Sequence, residues 1–375
     1  IGGGYDSTIE ITDKSSIGTI TGGTAGIGAN GGTVTIDGAT LGTVTGKNGS
    51  GIGTTTGNKV GITIKNGKIT TITGSGQNRG GIDGGYDSNI NIEKSDIGSV
   101  TGGTIGIGTD SGQQSTVTID GSHLGTVTGN NGTGIGINNG GGLTIGIRGS
   151  TIDKVLGKNG SGIGAGPQFS AGATIDIDKS TIGSAIGENG SGIGVGNRFN
   201  RSATAGITVN NSTIGSAEGS NGNAGIGGGF GNLVVKLFNS IIRKAKGGTD
   251  SAQRGGAGIG NGAYSNPSNP LGSTNITISN TNIDEAVGGA GAAGIGGGFF
   301  NTANVNITGG NITARAGETN TDYKDTNAPY AIGNGQLSDN SGSSDIAING
   351  DDGDTTVNAL ASDLEHTVTN RDKIT

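Results

Sequence analysis

Apolar residues along this 375-residue chain return in a three-part phrase. The phrase opens on an Ile, usually followed by Gly, at Ile1, Ile27, Ile52, Ile82, Ile107, Ile135, Ile163, Ile193, Ile226, Ile259, Ile295 and Ile332. The spacings run from 25 to 37 residues and lengthen toward the C-terminus. Next comes an alternating pair such as Val34/Ile36, Ile62/Ile64, Ile90/Ile92, Val117/Ile119 or Ile175/Ile177. Period-two alternation marks a strand with one buried face. A pair three apart follows: Leu41/Val44, Ile69/Ile72, Ile97/Val100, Leu124/Val127, Ile182/Ala185. Between the second and third parts the step is five residues in ten consecutive repeats, against six from Ile11 to Ile17.

A repeat of 20–50 residues that cannot bury an apolar face alone is a solenoid unit. Constant spacing at one corner and variable spacing at the others describes a coil with one tight turn and two loop-bearing turns. The expectation is an all-β fold, a right-handed parallel β-helix of about twelve coils with three short strands per coil. At ~4.8 Å per coil it makes a rod of roughly 55–60 Å. Coils of this length exceed the 18-residue left-handed hexapeptide class, and the calcium-binding G-G-x-G-x-D repeat is absent in tandem form. The helix is expected over 1–350, with a cap or tail over 351–375, where Leu360, Leu364 and Val368 keep a weak apolar period.

This phrase also settles a local motif. GIGANG at 26–31 spells G-x-G-x-x-G, but a dinucleotide loop needs a helix opening on it. The segment that follows, TVTID at 33–37, alternates as a strand does, and the equivalents GIGTTT and GIGTDS lack the full fingerprint. The match is a coincidence inside a repeat. A longer duplication is visible as well: GGGYDSTIEI at 2–11 returns as GGYDSNINI at 84–92, and TVTIDGATLGTVTG at 33–46 as TVTIDGSHLGTVTG at 116–129.

Composition narrows the partners. There are 86 Gly and four Pro but no Cys, Met or Trp, so neither collagen nor a disulfide scaffold fits. A net charge of -7 without basic runs disfavours nucleic acid and anionic membranes. The apolar stretch at Leu233–Phe238 is interrupted by Lys236 and is too short to span a membrane. The Met-free chain reads as a mature product or excised segment. Its first coil begins mid-repeat, which implies either an upstream segment or self-association through an open β-helix end.

AGIGGGFGN at 224–232, AGIGGGFF at 293–300 and the interleaved TxTI and TIGSV strands resemble the Gly-rich repeats of bacterial secreted and surface proteins of the pectin-lyase-like right-handed β-helix type. The resemblance implies an extracellular or cell-surface protein, often one module of a longer chain. It does not imply an activity, because this architecture hosts lyases, hydrolases, adhesins and binding modules.

Three arrays carry candidate chemistry. Aromatics follow the opening Ile at Tyr5, Tyr86, Phe169, Phe199, Phe230, Tyr264 and Phe299. The run Phe169, Phe199, Phe230, Tyr264 and Phe299 lies beside the longest insertions, and is either a sugar-stacking column or an internal ladder filling a widened corner. On the third strand, Thr19/Thr21, Thr43/Thr45, Thr71/Thr73, Ser99/Thr101 and Thr126/Thr128 point outward as a flat grid suited to ice, unless Thr is there simply as a strand former. A lyase or hydrolase would need paired carboxylates. The two His (His123, His366) fall in different repeats, and Asn320–Asp322 is an isolated "NTD". Asp351, Asp352 and Asp354 read as a solvated acidic loop, with Ca²⁺ binding as the alternative. No catalytic residue, resident metal or other cofactor is assigned. The leading expectation is a non-catalytic structural or adhesive module that binds polysaccharide or a host or cell surface and can assemble end to end into fibres. A polysaccharide-degrading enzyme and an ice-binding protein are the alternatives.

Overall fold

The computed structural model describes residues 1–77, 79–112, 114–169, 172–196, 204–229, 232–264, 273–320, 322, 329–337, 345–349, 355–360 and 365–369, with side chains except at 167–169 and 365–369. No helix occurs among them. The chain is a parallel β-solenoid of about ten turns. The count is slightly below the twelve coils expected from the repeat.

Each coil carries three strands, but these form two sheets. The opening and alternating strands merge into one sheet of 22 strands, and the third strands make a second sheet of 14. In the first two coils the opening and alternating parts are one continuous strand, Gly2–Ile11 and Ile27–Asp37. From the third coil on they separate, as in Ile52–Thr54 and Val60–Lys65.

Register converts the sequence phrase into columns. Ile27, Ile52, Ile82, Ile107 and Ile135 stack in unbroken pairing, and the series continues through Ile163, Ile193, Ile226, Ile259 and Ile295. All ten are fully buried. The alternating and three-apart pairs stack beside them in one continuous core. Full burial of one such side chain stabilises by about 1.5–3 kcal/mol, so the columns dominate the favourable side.

The Gly after most opening Ile residues has a steric cause. At Gly136 the backbone φ is 139°, and an added Cβ would stand 1.8 Å from the carbonyl oxygen of Gly164 in the next coil. Only Gly accepts both that conformation and that approach.

The constant five-residue step is also explained. At this corner the chain turns through one left-handed residue, for example Asn66 (φ 49°), Lys94 (45°), Gly121 (55°), Gly149 (53°), Lys179 (50°) or Asn211 (47°). In seven coils the next residue is a buried hydroxyl: Ser95, Ser122, Ser150, Ser180, Ser212, Ser240 and Thr281. Each accepts the backbone N–H of the equivalent residue one coil earlier, at 3.0–3.3 Å, beginning with Gly67. Each also donates to the carbonyl two residues before it, at 2.6–3.0 Å. Buried N–H groups must find acceptors, and this ladder supplies them at one fixed spacing.

At the C-terminal end, Thr355–Leu360 adds one more parallel strand beside Gly310–Arg315, and Glu365–Thr369 then pairs with it antiparallel. The last parallel strand therefore lies inside the stretch assigned from sequence to a cap or tail.

Candidate functional site

The threonine grid is in register. Thr19, Thr43, Thr71, Ser99 and Thr126 form one rank, and Thr21, Thr45, Thr73, Thr101 and Thr128 the second. All ten side chains are exposed or half-buried on the outer face of the third-strand sheet. The ranks stop where Lys154 and Leu156 take the next rung. Charges flank the grid. Lys68, Asp96 and His123 stack along its border, and His123 is held between Asp96 (Nδ1–Oδ1 2.9 Å) and Asp153 (Nε2–Oδ2 3.2 Å). The Asp96 hydrogen bond, aided by Asp153, raises the His123 pKa.

The aromatics do not form one exposed column among the described residues. Tyr5 and Tyr86 are 79% and 56% exposed, whereas Tyr264 is 4% and Phe299 0% exposed. Phe299 stacks on Phe300 with ring centroids 4.0 Å apart, and both pack with Tyr264 and Ala263 in a second small core. A widened corner leaves a void that phenyl rings fill without polar cost. As packed, Phe299 and Tyr264 offer no face to a ligand. Phe199 and Phe230 lie outside the described residues, as does the side chain of Phe169.

The carboxylate motifs are placed in part. Asn320 accepts the Asp322 N–H at 3.0 Å and takes up its own bonds to Gln336 and Gln253, a local turn that braces two loops. Asp351, Asp352 and Asp354 lie outside the described residues, as does the His366 side chain. Among the described residues no group of three or more His, Cys, Asp or Glu is arranged to hold a metal ion.

One concavity lies where the sequence shows no aromatic or threonine array. It is a groove of about 790 Å³ at the corner after the third strand, running across the coils opened by Ile193, Ile226, Ile259 and Ile295. Its floor is built from glycines, among them Gly219, Gly247, Gly288 and Gly317. Their amides are used in the coil-to-coil ladder, as in Gly219 N–H to Lys246 O at 2.9 Å and Gly288 N–H to Arg315 O at 3.0 Å. A floor without side chains lets a ligand approach the backbone closely.

One wall is the row Glu218, Lys246, Val287 and Arg315, which share a register position on the third-strand sheet. The other includes a hairpin-like excursion closed by the Thr249–Gly255 bridge. Arg254 clamps it through Asp250 at 2.7 Å, Thr249 accepts the Ala290 N–H at 2.9 Å, and Asn320 donates to Gln253 O at 2.7 Å.

Two of the acids in this groove are neutralised within the fold. Asp250 is held by Arg254, and Glu218 by Lys244 at 2.9 Å. The Lys244 hydrogen bond lowers the Glu218 pKa, outweighing desolvation. Lys246 and Arg315 have no ion-pair partner among the described residues. Lys246 also acts electrostatically on Glu218, and a third acid, Glu318, is exposed at the groove, so Arg315 is the clearest cationic donor. The visible signal was the extra length of GGTDSAQRGG after Lys246, but its fold-back onto neighbouring coils is tertiary.

Comparison with protein-family models, with curated proteins and with solved structures returns no match.

Proposed function

We propose that this chain is a non-catalytic extracellular binding module, a rigid β-solenoid that holds a polysaccharide along the groove across its four C-terminal-half coils. One observation carries the reading: a glycine-floored channel parallel to the rod axis, walled by Lys246 and Arg315. Four coils at ~4.8 Å give a channel on the order of 15–20 Å long, longer than a single sugar needs. Extended polymers suit such a channel because repeating units meet repeating coils. Arg315 favours polymers bearing carboxylates, which a guanidinium grips with two parallel hydrogen bonds. The repeats that resemble those of bacterial surface proteins support an extracellular setting.

Pull-down on insoluble polysaccharides and affinity electrophoresis in polygalacturonate, alginate, xylan and cellulose would test this. Binding is expected to be strongest for the uronate polymers and to fall at least about tenfold in Lys246→Ala/Arg315→Ala. Retention of full binding by that double variant, or no binding to any of the four, removes the groove assignment. The same assays with Ca²⁺, followed for released reducing ends or unsaturated products, separate a binding module from a degrading enzyme.

A second reading has its own observation, the ten-residue grid in register. It supports ice binding through hydroxyl and methyl groups at lattice-like spacing. The flanking Lys68, Asp96 and His123 weigh against it, since strongly hydrated charges border the flat face. Thermal hysteresis in the intact protein that Thr45→Tyr and Thr73→Tyr abolish would establish it, and zero hysteresis would end it.

A further inference from the structure

A second concavity lies far from the groove, at the corner shared by the coils opened by Ile52, Ile82 and Ile107. It is a half-open cleft of about 220 Å³ lined by Thr56, Arg79, Asp83, Tyr86, Asp110 and Ser111, with Gly57 and Gly85. Its polar groups are of mixed kind: a guanidinium, two carboxylates, hydroxyls and an exposed phenol ring.

Asp83 is the unusual member. It stands where other coils place the Gly after the opening Ile, paired in register with Gly53 and Gly108. Its side chain is 2% exposed. The carboxylate is fully engaged inside the fold, accepting from Gly85 N–H (2.9 Å), Ser50 Oγ (3.1 Å) and Gly80 N–H (3.2 Å). Burial raises its pKa against the pull of those donors and of the nearby Arg79. Asp83 therefore positions the segment that carries Arg79 and Tyr86.

Arg79 is placed but not consumed. Its guanidinium lies over Gly57, with Nη1 3.2 Å from where a Cβ would stand on that residue. Its side chain makes no hydrogen bond or ion pair among the described residues. Tyr86 is anchored through its backbone to Gly57 O at 3.0 Å while its ring is 56% exposed. Across the cleft, Asp110 accepts from Asn138 Nδ2 at 3.2 Å with one oxygen.

The duplicated coils supply an internal comparison. IGGGYDS at 1–7 and IDGGYDS at 82–88 differ by one residue, Gly2 against Asp83. The first copy keeps the tyrosine and lacks the buried carboxylate beneath it.

We infer that this cleft is a binding site for a single neutral sugar residue, with Tyr86 as the stacking platform, Arg79 as donor and Asp110 as acceptor to ring hydroxyls. The chemistry favours a neutral polyol over an anion, because the Asp110 carboxylate shares the small space with Arg79. The volume matches one ring. This site is independent of the groove.

The test is saturation-transfer NMR on the full chain with methyl α-D-mannopyranoside, methyl β-D-galactopyranoside and methyl β-D-glucopyranoside at millimolar concentration. Transfer to at least one glycoside is expected, falling about tenfold or more in Tyr86→Ala and in Arg79→Ala. Tyr86→Phe keeps the platform and is expected to retain transfer, which distinguishes stacking from a structural role of the hydroxyl. Lys246→Ala/Arg315→Ala is expected to leave the signal unchanged. Three outcomes overturn the inference: no transfer to any of the three glycosides, transfer that survives both Tyr86→Ala and Arg79→Ala, or transfer lost only in the groove variant. Circular dichroism of each variant confirms that the solenoid is folded when the comparison is made.

Discussion

A methyl group added at Gly136 meets the Gly164 carbonyl at 1.8 Å with φ at 139°, whereas at Gly149, φ 53°, the same methyl has nothing within 4 Å. The two glycines look alike in sequence, but the strain at each is different. Gly136→Ala is expected to cost at least about 3 kcal/mol, by forcing both a forbidden backbone region and a coil separation. Gly149→Ala is expected to cost only about 1–2 kcal/mol, the left-handed penalty alone. Equilibrium denaturation of the two variants checks this; equal costs would contradict the steric account. His123 is a second residue whose setting decides its behaviour. With its pKa raised by Asp96 and Asp153, protonation is favoured in the folded state. The small stabilisation is fully present below the ordinary histidine pKa and is lost as pH rises through the higher folded value. NMR titration of the ring is expected to show a midpoint above 6.5, moving down in Asp96→Asn. Solvent exposure of all three side chains keeps the effect on stability modest.

The tight corner shows best what an element can and cannot disclose in sequence. The five-residue step from Ile119 to Leu124, or from Ile147 to Ile152, announces a turn of fixed geometry. The serine that fills it was also legible in outline, since Ser95, Ser122, Ser150 and Ser180 recur at one place in the phrase. Its role is visible only when coils stack, because the acceptor for one coil's N–H sits in the next. Ser150→Ala leaves the buried Ser122 N–H without its acceptor. The expected loss is about 1–3 kcal/mol, with Ser150→Thr largely retained because Thr281 already occupies the equivalent place. Urea denaturation of both variants decides between this ladder and a merely small corner. The aromatics mark the opposite limit. Phe299 and Tyr86 follow their opening Ile by the same four residues, yet one is core and the other exposed. Nothing local separates them, because burial depends on how much insertion each neighbouring coil brings. The groove was illegible for the same reason. Its floor is glycine backbone and its wall a fold-back whose partners, Ala290 and Asn320, lie 41 and 67 residues from Thr249 and Gln253.

At the scale of the whole molecule, the aliphatic columns make every interior coil depend on its two neighbours and on little else, so stability accumulates along the rod. The variable corners can then carry insertions without disturbing the fixed one, and both concavities lie on such corners. The coil-to-coil hydrogen bonds all run along one axis, between equivalent strands. That alignment has a mechanical consequence. A load applied between the two ends stretches these bonds lengthwise and concentrates at whichever coil is outermost, so the rod gives way by peeling. Each released coil of 25–37 residues adds on the order of 100 Å of slack. In single-molecule stretching the molecule is expected to lengthen in successive increments of that size. Strung between two surfaces, such a protein would act as a shock absorber, shedding one turn at a time while the coils behind it keep their grip.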